Sequence, residues 1–206
     1  MTGLNALCEK LRLRLPAPAT APLPLDPLVW YAAVALILRQ SLADTELLII
    51  KRAVNPLDHW SGNLALPGGR HQIEDTDLCA TAIRETFEEV GIDLSSGGAK
   101  LLGHLEMMRT TNPRLPRITI VPFVAIAPYP YHISIAGREA PPLLLNCEVE
   151  ASFWISIGYL LREGPSAVHR LIIEGQEHQW PAYGTAQGLI WGVTEKILTG
   201  FLALLR

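Results

Sequence analysis

Three glutamates, Glu85, Glu88 and Glu89, stand at i, i+3 and i+4, so on a helix their carboxylates gather on one side. Upstream lie the diglycine Gly68-Gly69, then Arg70 and Asp75. The run around the glutamates reads Arg84-Glu85-Thr86-Phe87-Glu88-Glu89-Val90-Gly91-Ile92. Grouping like charges is unfavourable, by about 0.2–0.5 kcal/mol for an exposed i,i+4 pair and by more where water is displaced. Hard divalent cations relieve that repulsion, and Mg²⁺ or Mn²⁺ suits carboxylate, water and phosphate oxygens. A solvated acidic helix face is the competing explanation for the glutamates taken alone. The diglycine favours the cation, because glycine lets the backbone come close and lets the Gly68 carbonyl join the ligands. Arg84, one turn before Glu88, can hold the carboxylates in place.

These residues need a helix to carry them and a sheet behind it. A helix is predicted over Leu78–Val90, with Asp75–Asp77 as N-cap candidates and Gly91 as a left-handed C-cap. Cys79, Ala82, Ile83, Phe87 and Val90 are expected to face the core, leaving the carboxylates to look into a cleft. Strands are predicted at Val29–Arg39, Glu46–Arg52, Leu64–Leu66, Lys100–Arg109, Ile118–Ala127, Ala151–Ile157 and Ala167–Glu174 from their β-branched and apolar content. The turn at Ser41–Thr45 would make the first two a hairpin, and the Ile118 strand would begin after Pro113 and Pro116. A second helix is predicted over Leu189–Leu205. An N-terminal helix over Gly3–Leu15 runs into a Pro-rich strap holding Pro16, Pro18, Pro22, Pro24 and Pro27. The expected architecture is α/β of the α+β kind, a mixed sheet sandwiched between helices. Residues 1–27 form the helix and strap, and 28–206 the domain proper.

Bulk properties narrow the function classes. With 206 residues, 49% hydrophobic and 18% charged, the chain can bury a sizeable core and is not a disordered tail. A net charge of −3 gives no electrostatic reason to expect a nucleic-acid polymer. Phosphates bound to such a protein must be neutralised locally. Cys8, Cys79 and Cys147 form no CxxC pair and suit a reducing compartment. No signal peptide is read at the start, and the apolar run Leu28–Leu38 is too short for a bilayer. The expectation is therefore a cytoplasmic protein with no membrane partner. The six histidines lack zinc-ligand spacing, and no P-loop, dinucleotide fingerprint or G-x-S-x-G is present.

Taken in order, the diglycine, Asp75, the Arg84-Glu85 pair, Glu88-Glu89 and Gly91 resemble the signature of the Nudix hydrolases, G-x5-E-x7-R-E-U-x-E-E-x-G-U with U aliphatic. The match is close from Arg84 to Ile92, except that Thr86 replaces an aliphatic residue. Counted from Gly69, the first acidic position falls on Asp75, with one extra residue before Arg84. That variant resembles the coenzyme A pyrophosphatase branch of the family. Two further segments do so as well: Cys147-Glu148-Val149 followed by Phe153-Trp154-Ile155, and Ile190-Trp191-Gly192-Val193-Thr194. The similarity runs from about Val29 to the C-terminus. One departure stands out. Where that branch carries a basic residue and a histidine before its Gly-Gly turn, this chain has Asp58 and Trp60, although Gly62 is kept. An added carboxylate is out of place in a site for a phosphate-rich adenosine group.

The resemblance implies a Nudix fold and hydrolysis of a pyrophosphate link in a nucleotide-like small molecule, coenzyme A or an acyl derivative being one option. A dinucleotide, nucleotide sugar or oxidised nucleotide are the others. It implies that Glu85, Glu88, Glu89 and the Gly68 carbonyl hold Mg²⁺ or Mn²⁺, while Gly69, Asp75, Arg84 and Gly91 shape the motif. The general base is Glu88 or Glu89 within the signature, or Glu148 or Glu150 from a loop; Glu148 also reads as an ordinary exposed carboxylate. Arg52, Arg70 and Arg109 are candidates for substrate phosphates, and Trp60 for stacking on a base. Trp154 and Trp191 are expected in the core. Non-catalytic sensors of this fold lose one or more of the glutamates, and all three are present here. The Pro-rich arm and the C-terminal apolar residues serve either a homodimer contact or a monomer strap.

Overall fold

A computed structural model describes residues 3–20, 29–58, 60–110, 117–134, 140–173 and 175–206. Most of the Pro-rich strap (21–28), His59, the segment with Pro113 and Pro116, and Glu174 lie outside the described residues. In chain order the elements are α1 (Leu4–Arg14), β1 (Trp30–Ser41), β2 (Thr45–Arg52), β3 (Leu64–Ala65), β4 (Gly68–Arg70), α2 (Leu78–Val90), β5 (Lys100–His104), β6 (Met108–Arg109), β7 (Ile118–Ile126), β8 (Ile133–Ser134), β9 (Val149–Ser156), α3 (Ile157–Glu163), β10 (Ala167–Ile173), β11 (Gln176–Thr185), β12 (Gly188–Trp191) and α4 (Gly192–Ala203).

The main sheet is mixed. Its path runs β3-β2-β1-β7-β5, with β1 and β7 parallel and β1 and β2 a hairpin; β4 and β8 pair with β1, β6 with β7 and β9 with β2. β1 and β2 read as nearly continuous apolar runs because both faces of the sheet are covered. On one face Ala35, Ile37, Leu48 and Ile50 pack with Val90 and Ile92, at the end of α2 and just beyond it. On the other, Leu36, Leu38, Leu47 and Ile49 meet Leu7 and Leu11 of α1, Leu160 of α3 and Phe201 of α4. The N-terminal helix thus shares the core of the domain. This sandwich of helices around a mixed sheet is the architecture that the hydrophobic pattern predicts.

Several elements depart from expectation. The single strand predicted over Lys100–Arg109 divides into β5 and β6. Its partner β7 carries Pro122, which has no N–H to continue the ladder, so residues 105–107 bulge and only the Leu105 N–H reaches the Pro122 carbonyl, at 2.8 Å. The helix predicted from Leu189 begins at Gly192, because residues 188–191 pair with β11 instead. β11 itself was hidden by its polar, Pro-containing sequence. Together β10, β11 and β12 form a separate three-stranded sheet.

Candidate active site

Helix α2 is capped as its ends predict. The Asp77 carboxylate accepts the Ala80 N–H at 2.7 Å, and Gly91 sits at φ 71°, its N–H donating to the Phe87 carbonyl. The helix is rotated, however, from the predicted phase. Phe87 is 58% exposed rather than in the core, and Cys79 and Ile83 are only half-buried. The inward line runs through Leu78, Ala82, Glu85 and Glu89, spaced four, three and four apart, with Thr86 fully buried beside it. Carboxylates therefore continue the core-facing line of the helix. Glu88 stands at its edge, with its side chain 49% exposed.

What meets this line is the diglycine turn. Gly68 has φ 145°, a region open only to glycine, and any side chain there would strike the Ala33 carbonyl and Val34 of β1. A Cβ on Gly69 would lie 2.5 Å from the Glu85 carboxyl carbon, so the acid occupies the space that glycine leaves. The Gly68 N–H donates to Glu89 Oε2 at 2.8 Å. Glu89 is 1% exposed, and burial pushes its pKa up to about 8 against the pull of the Gly68 amide and of Arg52. Burial also raises the Glu85 carboxyl, with Arg84 opposing.

Arg84 fastens turn to helix. Its Nε and Nη2 donate to the two oxygens of Asp75, each at 2.9 Å, its Nη2 also to the Arg70 carbonyl at 3.0 Å, and its Nη1 to Glu85 at 2.9 Å and Glu88 at 3.1 Å. Thr81 and the Gln72 amide complete the Asp75 site, and the Arg84 guanidinium holds the Asp75 carboxyl at about 2. The extra residue before Arg84 is absorbed in this loop, and Asp75 reaches the arginine as a fork-to-fork pair.

A second arginine approaches from the sheet. Arg52, at the end of β2, lies 3.8 Å from Glu89 and donates from Nε and Nη2 to Asp58 at 3.0 and 2.8 Å. Asp58 also accepts the Trp60 N–H, which sets the half-buried Trp60 in this loop. Glu148 precedes β9 and lies close enough to repel both Glu85 and Glu89. Its loop is tied down where Asn146 donates to the Glu89 carbonyl and Ala53 to the Glu148 carbonyl. Glu150 is turned to Lys51, at 2.6 Å. Arg70 stacks over Trp30, with its guanidinium carbon 3.5 Å from the ring centre. Arg109 is not brought to the carboxylates: it is an exposed residue of β6, three strands across from β4 and so roughly 14 Å away.

The Nudix domain model matches residues 30–173. The chain belongs to the Nudix hydrolase family. Among its relatives is a Nudix hydrolase, NudL, of Photorhabdus laumondii, 29% identical over 96% of this chain and 95% of that one. Another, from Cronobacter sakazakii, is 31% identical over 74% of this chain and 71% of its own length. An uncharacterised fission-yeast protein is 44% identical, but the match covers only 40% of this chain and 26% of that longer one. A MutT/nudix protein of Enterococcus faecalis shares the fold, with a TM-score of 0.57 at 18% identity, over 91% of this chain and 66% of that one. Nudix proteins generally use divalent cations and act on nucleotide-like molecules; among the described residues no helix is long and apolar enough to cross a membrane.

The Nudix helix brings carboxylate oxygens, which are hard donors, against the diglycine turn. Glu85 fills the cradle at Gly69, and Glu89 is buried with too little positive charge nearby to keep its pKa low. Among the described residues no three acidic, histidine or cysteine side chains already converge as a finished ligand set. Glu85 and Glu88 are held by Arg84, and Glu89 by the Gly68 amide. A cleft of about 660 Å³ lies apart from these acids, on the α1 and α4 side, lined by Leu15, Met107, Met108, Pro122, Lys196 and Leu204. Sequence reading missed Asn146 as the tether of the Glu148 loop and Asp58 as the anchor of Arg52. The Asn-x-Glu spacing, a side-chain turn in which Asn146 accepts the Glu148 N–H, was the available signal for the first. Trp154 and Trp191 are half-buried, Trp154 beneath Arg39 and Trp191 against His169, so neither is a true core residue.

Proposed function

We propose that this Nudix hydrolase cleaves the P–O–P bridge of a nucleoside diphosphate derivative, releasing two phosphorylated products. The observation that carries this reading is the line of Glu85 and Glu89, drawn out of water against a diglycine turn in which a side chain at position 69 would collide with the Glu85 carboxylate. Glu85, Glu88, Glu89 and the Gly68 carbonyl would hold Mg²⁺ or Mn²⁺, which when bound polarises phosphoryl oxygens and lowers the pKa of water. Glu148 would take the proton of the attacking water. Its backbone is fixed by Ala53 and Asn146 while its carboxylate stays exposed beside the buried acids. Glu88 and Glu89 are the alternative bases. Arg84 positions Glu85 and Glu88, and Asp75, Gly69 and Gly91 shape the turn and helix that carry them. Arg52 and Arg70 supply cations for substrate phosphates, and Trp60 an aromatic face near Arg52.

Coenzyme A and its acyl derivatives fall within this substrate class. The carboxylate that replaces a basic residue at position 58 is matched by Arg52, which removes much of the electrostatic objection to a phosphate-rich ligand. The test is a panel of coenzyme A, acyl derivatives, dinucleotides, nucleotide sugars and oxidised nucleotides, with Mg²⁺ or Mn²⁺ and products identified by mass. Metal-dependent release of two phosphorylated fragments is expected. Turnover restricted to dinucleotides would eliminate coenzyme A, and no cation-dependent hydrolysis of any compound would overturn the proposal.

A further inference from the structure

The small sheet β10-β11-β12 carries a row of aromatic rings that the hydrolytic chemistry does not use. Strand alternation and register put His169, Trp180 and Trp191 on one face, with His178 beside them: His169 pairs with Trp180 and Ala182 with Trp191 across the sheet. The His169 ring stacks on Trp191, with centroids 3.8 Å apart and planes 17° from parallel, and His178 stacks on Trp180 at 5.7 Å and 24°. Trp180 and Trp191 lean together at 5.9 Å. The opposite face of the sheet sends Tyr183 and Ile190 into the core, so folding already uses that side. Folding does not explain a row of partly exposed rings on the other side, with His178 open to solvent.

Asn63 links this row to Arg52, which borders the carboxylates. The Trp191 indole N–H donates to Asn63 Oδ1 at 3.3 Å, and the carbonyl of Asn63 accepts the Arg52 N–H at 3.0 Å. Arg52 in turn reaches Glu89. Within the row, His169 Nε2 is buried with no hydrogen-bond partner, and burial lowers the His169 pKa, which favours a neutral ring. A planar ligand with a ring face to lay on the exposed rings matches this row better than an aliphatic or purely anionic one.

We propose that the His169, Trp180 and Trp191 face of the small sheet binds the heteroaromatic base of the substrate, while its diphosphate lies toward Arg52 and the glutamates. This inference rests on the hydrolase reading and deepens it by naming a base subsite. Stacking on an aromatic side chain tolerates any base, because every base has a π-face.

The test compares AMP, GMP and UMP, each against ribose 5-phosphate, by calorimetry on the full chain without metal, in the native protein, Trp180→Ala and Trp180→Phe. The native protein should bind the nucleotides roughly tenfold or more tighter than ribose 5-phosphate. Trp180→Ala should erase that preference without changing ribose 5-phosphate binding, and Trp180→Phe should restore most of it. With a hydrolysed substrate, Trp180→Ala should raise KM by a similar factor and leave kcat within about twofold. Equal binding of nucleotides and ribose 5-phosphate by the native protein overturns the subsite, as does a preference that survives Trp180→Ala. Concentration-dependent dimers abolished by Trp180→Ala would instead make the face a contact between copies and overturn the proposal. A Trp180-dependent nucleotide preference with no hydrolysis of any compound would sink the hydrolase and keep the subsite; hydrolysis with KM indifferent to Trp180 would do the reverse.

Discussion

Replacing Asp75 with Asn tests whether the fork between Asp75 and Arg84 is what fixes the acidic helix to the diglycine turn. The Asp75 carboxyl sits at about 2 in the folded protein against an ordinary 3.8, held down first by its hydrogen bonds with Arg84. Each unit of difference corresponds to about 1.36 kcal/mol, so the charged form contributes about 2 kcal/mol of folding stability near pH 7. With the side chain only 5% exposed, solvent screening takes little from that figure. The sign follows from proton counting. The depressed folded pKa means that the unfolded chain binds the extra proton, so the contribution is complete above about pH 4 and drains away as pH falls toward 2. Urea unfolding of the native protein and of Asp75→Asn should differ by about 2 kcal/mol at pH 6–7, and the gap should have narrowed by about 1 kcal/mol at pH 3. Because Arg84 also holds Glu85 and Glu88, kcat should fall with KM little changed. A stability difference below about 0.5 kcal/mol at neutral pH, or one that does not vary between pH 6 and 3, would show that the fork is not the clamp described.

Four other perturbations reach separate parts of the molecule. Glu89→Gln keeps the shape and an acceptor for the Gly68 N–H but removes a buried acid that the unfolded chain ionises at neutral pH and the folded one resists ionising; the metal-free variant should melt higher at pH 7, by about 2–4 °C per kcal/mol gained, while kcat drops at least about a hundredfold. Thr86→Val removes a buried hydroxyl that has no partner and should stabilise by about 1 kcal/mol in chemical denaturation, leaving turnover unchanged. Added Mn²⁺ should raise the melting temperature of the native protein and of Glu148→Gln but not of Glu85→Gln, whereas both variants lose activity; this separates holding a cation from accepting a proton. Leu11→Ala, in a helix whose Leu11 is fully buried, should cost about 2–5 kcal/mol in urea unfolding if α1 is integral to the domain.

The sequence announced the Nudix helix through its caps: Asp77 and Gly91 act where their types say they should, and the spacing of the three glutamates survives intact. Its rotation was not legible. Phe87 attracts a core assignment by hydrophobicity alone, yet the inward line passes through Leu78, Ala82, Glu85 and Glu89, and only tertiary contact with the diglycine turn makes burying a glutamate tolerable. The two-sided apolar strands β1 and β2 were clear from composition. β11 was not, since Gln176, Glu177, His178, Gln179 and Pro181 belong to a solvent-exposed strand whose pairing carries it. Long-range partners escaped altogether: nothing local links Asp58 with Arg52, or Trp191 with Asn63.

Two arginines bracket the acidic line, and each is held by an aspartate of its own. Arg84 joins Asp75 to Glu85 and Glu88; Arg52 joins Asp58 and approaches Glu89. In both cases the aspartate fixes the direction of the guanidinium and offsets part of its charge. What remains around the turn is a concentration of carboxyl groups, Glu85, Glu88, Glu89 and Glu148, of which burial makes Glu89 the hardest to ionise. Such a cleft repels a diphosphate unless cations enter with it, so affinity for substrate should rise with cation concentration in addition to what Arg52 and Arg70 contribute. The aspartate at position 58 is then no intrusion into a phosphate site. It is the counterpart of Asp75, holding the Arg52 guanidinium in place while that arginine stays 3.8 Å from Glu89.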